Sequence, residues 1–401
     1  MKRKRMLVVV MVLIVAILSS FLLLGCKATE ATTTVAAETT VAAETTAAAE
    51  TTAAAETTAA AKETKINLED YYTKGPQGEV AVMYDQMSLT DKEKEEVRAG
   101  NYKAAYLMHT SSDFTNALLL GATDLFNDLN IKIVVTTDAE MDSTKQKTDV
   151  ETALALNPDI ILTLCIDPVS GAEAFRPAVN AGVKLVFMSN LPQGYVQGKD
   201  YVSIITDDLF GMGKAAAEML ADSMGGKGKI GWIYHDANYY VTNQRDNGFK
   251  AVIQANYPDI EIVAEQGLAN PADAEVIASA MITQNPEIGG IYVPWDSPAE
   301  GVVAACRAAK RPDIKVVTLD LGANNCLDMA KGGNIVGVAA DLAYMLGYTK
   351  AMAGAYGVLG KEAPPFVIVP AIKVTKENLL EGWNKSLHID PPVEIMKALG
   401  K

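Results

Sequence analysis

The sequence predicts an α/β fold built on two doubly wound parallel sheets, and three observations carry that prediction. Short β-rich runs alternate with segments of helical period along most of the chain from residue 103 onward. Those runs are apolar at successive positions, which marks strands buried on both faces, as in parallel sheets covered by helices. The runs are too many for one sheet of ordinary width. With the low-complexity start set aside, roughly three hundred residues remain, enough for two ordinary domains.

The chain opens on Lys2-Arg3-Lys4-Arg5, runs without a charge over residues 6–24, and reaches Leu23-Leu24-Gly25-Cys26. A basic start, an apolar run and a small residue before the cleavage point make an export signal, which is not part of the fold. The Leu-Leu-Gly-Cys ending resembles the lipobox of bacterial lipoproteins, with Cys26 as the acylated first residue of the mature chain. Leu24 is larger than the residue common before that glycine. The alternative is an uncleaved anchor, since about 20 apolar residues span a bilayer. Both readings put the bulk of the chain outside the cytoplasm, and the first ties it to the bacterial membrane by lipid.

Residues 33–62 repeat Thr-Thr-(Val/Ala)-Ala-Ala-Glu without aromatics or large core formers. Such a segment cannot bury enough surface to fold, so 26–65 is expected to be a tether with a root-mean-square span on the order of 30 Å. Residues 66–100 form an N-terminal extension in which Thr90-Asp91-Lys92-Glu93 is a capping box opening a short charged helix that ends near Gly100.

Strands are then expected at 103–108, 131–136, 159–164, 184–188, 202–205, 229–234, 261–265, 290–293, 314–319 and 335–339. Amphipathic helices such as 114–129 and 208–224 lie between them. The stretch 202–206, after the loop 193–200, reads as the first crossing between the two units.

The net charge of −14, with no basic stripe after the signal, argues against a nucleic-acid partner. Cys165 in an apolar strand and Cys306 on an apolar helix face read as buried thiols. A Cys306 to Cys326 disulfide suits the compartment but has no support in the sequence.

Ligands of open α/β sheets bind beyond the carboxyl ends of the strands. There the sequence places Ser112, Asp113 and Phe114 after the first strand, Ser189 and Asn190 after the fourth, and His235, Tyr239, Tyr240 and Arg245 after the sixth. Trp295 and Asp296 follow the eighth, Asp320 the ninth and Asp341 the tenth. No GxGxxG stands after the first strand, so a dinucleotide site is disfavoured. Carboxylates, amides, a guanidinium and aromatic faces together suit a hydroxyl-rich ligand. Singly, each has a plainer reading: Ser112, Asp208 and Asp341 as helix caps, Arg245 paired with a surface carboxylate, Trp295 as core. His109, His235 and His388 show no metal spacing and no GxSxG turn accompanies them, so no catalytic residue, metal or cofactor is expected. Asp207-Asp208 reads as hinge and cap.

Over about residues 102–383 the chain resembles sugar-type solute-binding proteins of ABC importers, in the ribose-binding branch of the type I periplasmic binding proteins. The resemblance rests on Ser112-Asp113-Phe114, Asn157-Pro158-Asp159-Ile160-Ile161 and Ala181-Gly182-Val183, together with Arg245-Asp246-Asn247-Gly248-Phe249, Pro286 and Val316-Val317-Thr318-Leu319-Asp320. It implies two lobes that close on a ligand, joined by crossings near Thr206, Asp341 and Pro370. The first lobe is then 101–206 plus 342–369, and the second 207–341 plus 370–401. It further implies ligand contacts from Ser112, Phe114, Arg245 and Asp320. Ser189 and Asn190 stand where ribose binders carry an Asp-Arg pair, Trp295 at an asparagine position and Asp341 at a glutamine position. The implied partners are a small neutral sugar or polyol, an ABC permease and, through Cys26, the membrane, with the chain a monomer. A second reading keeps the fold but makes the protein a ligand sensor for chemotaxis or quorum-signal capture.

Overall fold

The structure, a computed structural model, describes Leu68 and residues 72–237 and 239–401. The export signal, Cys26 and nearly all of the tether-to-extension stretch before Tyr72 lie outside the described residues. Among those described, no helix is long and apolar enough to cross a membrane.

After a short strand β1 (Val82–Met83), the extension forms α1 (Asp91–Gly100). Thr90 accepts from the Glu93 amide while Glu93 reaches back to the Thr90 amide, so the capping box is formed, and Asn101 in the left-handed region ends the helix.

The first α/β unit contains β2 (Lys103–Met108), α2 (Asp113–Asp128), β3 (Lys132–Asp138), α3 (Ser143–Leu154) and β4 (Ile160–Leu164). It continues through α4 (Pro168–Ala174), α5 (Arg176–Asn180), β5 (Lys184–Met188) and β6 (Ser203–Asp207). The second contains α6 (Leu209–Ser223), β7 (Gly228–His235), α7 (Tyr240–Asn256), β8 (Ile260–Leu268), α8 (Ala274–Gln284) and β9 (Ile288–Tyr292). It continues through α9 (Asp296–Ala308), β10 (Lys315–Leu319), α10 (Ala323–Ala330) and β11 (Ile335–Ala340). The chain closes with α11 (Ala343–Leu359), β12 (Phe366–Val369), β13 (Ile372–Val374), α12 (Leu379–Leu387) and α13 (Val393–Ala398).

The strands form a seven-stranded sheet, β1-β12-β6-β5-β4-β2-β3, and a six-stranded sheet, β13-β11-β10-β9-β7-β8. All pairings are parallel except that of β11 with β13. The chain passes between sheets after β6, again between β11 and β12, and finally between β12 and β13. Asp207, which the sequence reading assigned to the second lobe, is the last residue of β6 in the first sheet, opposite Val369.

Alternate side chains of one strand feed separate cores, which is what doubly wound means physically. In β2, Ala104, Tyr106 and Met108 join the core under α2 and α11, whereas Ala105 and Leu107 join the core under α3 and α5. Helices α2 and α11 meet backbone to backbone: a Cβ at Gly121 would collide with the Tyr344 carbonyl, and one at Gly347 with the Leu118 carbonyl. Glycine is required at both by close approach. Cys165, Cys306 and Cys326 are buried free thiols; burial is the main force pushing them up, to about 12, 11 and 12.

Candidate functional site

The carboxyl ends of the two sheets face one another, and Arg245 joins them. It lies on α7, which is held close to α6 because Gly213 has no side chain: a Cβ there would strike the Arg245 carbonyl. From this buried position Nη2 donates to Asp207 Oδ2 at 2.9 Å, across to the first lobe. Nη1 donates to both oxygens of Asp320, at 3.1 and 3.0 Å, within its own lobe. Both contacts are charge-assisted, and two nitrogens of one planar group serve two carboxylates at a fixed spacing that the single ammonium of lysine lacks. Arg245 therefore pairs with interior carboxylates, not with one on the surface.

Asp320 stands at the end of β10 with φ of 63°, and Ser189 at the end of β5 with φ of 54°. These are equivalent positions in the two sheets. Left-handed backbone at a non-glycine residue costs about 1–3 kcal/mol and persists only where its surroundings enforce it. Here the Asp320 amide bonds Ala339 O and the Ser189 amide bonds Ile205 O, tying each turn to the neighbouring strand end. The Ser189 hydroxyl lies 2.7 Å from that of Thr206. Asn190 donates to Cys165 O at 2.9 Å and to the Tyr239 hydroxyl at 3.0 Å, a second direct link between lobes.

Asp341 follows β11 and is buried. It caps no helix; its Oδ1 reaches Ser386 at 3.5 Å and its Oδ2 has no hydrogen-bond partner among the described residues. Asp207 Oδ1 and Arg245 Nε are likewise buried and unpartnered. Asp296 opens α9, its carboxyl beside the Ser297 amide.

Burial dominates the protonation of these groups. It pushes Asp207 up to about 6 against the pull of Arg245, and Asp296 up to about 7, with Asp320 adding repulsion. Burial also raises Asp341 well above the carboxylate range, helped by Asp207 and Asp320. For Arg245 burial works against the charge, but Asp320, Asp207 and Asp341 outweigh it and the guanidinium is held more firmly protonated. Asp246 accepts from the His235 amide and the Tyr292 hydroxyl, and burial lifts it to about 7.

Aromatic surfaces complete the setting. Trp295 and Tyr239 meet the His235 ring edge to face, at centroid distances of 5.0 and 5.8 Å. Phe114, half-buried at the start of α2, touches the main core of each lobe. Ser112 is exposed and caps α2 by accepting from the Thr115 amide; no contact brings it to the Arg245 group. An open pocket of about 430 Å³ at the amino-terminal ends of β5 and β6 contains none of these residues.

The family model described as periplasmic binding protein domain matches residues 104–362. The chain belongs to the periplasmic binding protein family. That periplasmic binding protein is 23% identical over 263 residues to a xylitol-binding protein of Mycolicibacterium smegmatis, covering 64% of this chain and 72% of that one. It is 24% identical over 232 residues to a ribose import binding protein of Haemophilus influenzae, covering 57% and 75%. A sugar ABC transporter sugar-binding protein from Bacillus halodurans superposes with a TM-score of 0.62 at 25% identity, covering 69% of this chain and 98% of that one. The fold is the type I periplasmic binding protein fold, and the family is one of extracytoplasmic binding proteins.

Of the residues singled out in the sequence, the structure gathers Arg245, Asp320 and Asp341 around one charge cluster, with Asn190 and Trp295 in the aromatic wall nearby. One member was missed: Asp207 reads as hinge because only the fold brings a β6 residue to an α7 guanidinium. Asp296 is placed at its strand end by the sequence, but Trp295 alone is given a ligand contact there.

Proposed function

We propose that this periplasmic binding protein captures a small polyhydroxylated ligand, a sugar or a polyol, between its lobes and delivers it to an ABC import permease. The observation that carries this reading is Arg245, which bridges a carboxylate of each lobe while its own Nε and a neighbouring oxygen of Asp207 stay buried without partners among the described residues. Unpaired buried donors and acceptors are costly and reward a ligand whose hydroxyls satisfy them. Ser112, Phe114, Ser189, Asn190, Trp295, Asp320 and Asp341 complete the ligand shell in this reading. The names of the relatives, xylitol-binding and ribose import binding, support a hydroxyl-rich ligand and favour import over sensing.

The protein acts by binding rather than catalysis and works as a monomer. Acylation at Cys26 and the Thr/Ala/Glu tether keep it beside the permease. Thermal melting against pentoses, hexoses and polyols tests the proposal: at a hundredfold excess over Kd a ligand adds about 2.7 kcal/mol of native-state stability, a clear upward shift in Tm. A flat response to every compound contradicts it.

A further inference from the structure

We infer that the ligand is a hydroxylated amine, an amino sugar or amino polyol carrying a positive charge, rather than a neutral sugar. The inference rests on the receptor reading above and names the ligand class for the same site.

Four carboxylates, Asp207, Asp296, Asp320 and Asp341, stand at the facing strand ends, and one guanidinium serves them. Arg245 spends Nη1 on Asp320 and Nη2 on one oxygen of Asp207. The other oxygen of Asp207 and Oδ2 of Asp341 are fully buried with no partner among the described residues. The charged groups acting most strongly on Asp341 are Asp207, Asp320, Arg245 and Asp296, three carboxylates and one cation. Among the described residues, these bases do not redress the balance: burial holds His109 and His235 toward their neutral forms, and Lys350 is directed at Met108 and Tyr106 instead.

Buried carboxylates are tolerated only when paired or neutralised. A ligand hydroxyl brings a single hydrogen and no charge. An ammonium brings three donors, no acceptor and the missing positive charge, which suits orphaned carboxylate oxygens. The aromatic wall of Trp295, Tyr239 and Phe114 adds surfaces that attract a cation over their faces. Burial raises Asp207, Asp296 and Asp341, and repulsion from Asp320 adds to it for each, which is how carboxylates short of positive charge respond.

Matched pairs test this on the full-length protein in detergent: glucosamine with glucose, galactosamine with galactose, mannosamine with mannose, and glucamine with sorbitol, with N-acetylglucosamine as an uncharged control. Melting identifies binders and calorimetry gives Kd. The expected result is an amine bound about 100-fold more tightly than its hydroxyl twin and its acetylated form. Asp341→Asn and Asp296→Asn are each expected to cut that ratio about tenfold. If neutral twins bind and amines bind no better, the inference fails and the receptor reading stands. If no member of either arm binds, both fail. An amine preference untouched by both asparagine substitutions overturns the role given to the carboxylates.

Discussion

Lys350 on α11 is completely enclosed, its Nζ 3.6 Å from Met108 Sδ and 5.6 Å from the Tyr106 ring centroid. Burial pushes this amine down to about 7, against about 10.4 in an unfolded chain. Between those values the unfolded chain holds a proton that the folded chain does not, so the contribution of Lys350 to stability is lost as pH falls toward 7. Lys350→Met fills similar volume without the charge. It is expected to raise stability at pH 6 by about 2–4 kcal/mol, the gain shrinking toward pH 10. Denaturant titrations at the two pH values check this, and a gain independent of pH contradicts it. Nothing in the sequence around Lys350 distinguishes it from a surface lysine, because its burial follows from the glycine-mediated approach of α2 and α11. Arg245 and Asp320 were legible for the opposite reason: each follows a strand run, where this fold class puts its ligands.

At the scale of elements, the extension before β1 is the unusual part. Thr73 donates to Asp208 Oδ1 at 2.6 Å and accepts from the Phe210 amide at 2.9 Å, both at the start of α6. The Lys74 backbone bonds Gln244 and Tyr240 on α7. Four residues after Thr73, Gln77 donates to Tyr195 O in the first lobe at 2.9 Å, and β1 then enters the first sheet beside β12. One short segment thus holds both lobes, and separating them requires some of these bonds to break. At about 0.5–1.5 kcal/mol per hydrogen bond, the doubly substituted Thr73→Ala, Gln77→Ala chain is expected to release ligand ~3- to 10-fold faster. Stopped-flow displacement measures this, and an unchanged off-rate removes the segment from lobe opening. None of this was readable beforehand: the sequence gives an extension with one capped helix, but hydrogen bonds over sequence separations such as 135 residues carry no local signal. β12 and β13 escaped for a related reason. At four and three residues, with Pro364, Pro365 and Pro370 at the borders of the longer one, they are too short to show a period. The longer strands were visible because continuous apolar runs bounded by turns leave few alternatives.

At the scale of the whole molecule, the two sheets repeat one plan. β2, β4, β5 and β6 in the first correspond in order to β7, β9, β10 and β11 in the second, with β3 and β8 at the outer edges. The repeat puts a left-handed residue at the end of β5 and of β10, and an aspartate at the end of β6 and just beyond β11. Function comes from where the repeats differ, since α7 supplies a guanidinium that the equivalent helix α2 of the first lobe lacks. Attachment to the membrane is a separate question, settled by labelling cells with palmitate: the wild-type chain is expected to take up label and Cys26→Ser to lose it, whereas label retained by Cys26→Ser places the anchor elsewhere. The most direct test of the central claim is the calorimetric Kd of Arg245→Lys and Asp320→Asn for the tightest ligand found by melting, on variants whose circular dichroism matches wild type. Capture by the Arg245 cluster predicts binding weakened about tenfold or more in each, and affinities equal to wild type in both would contradict it.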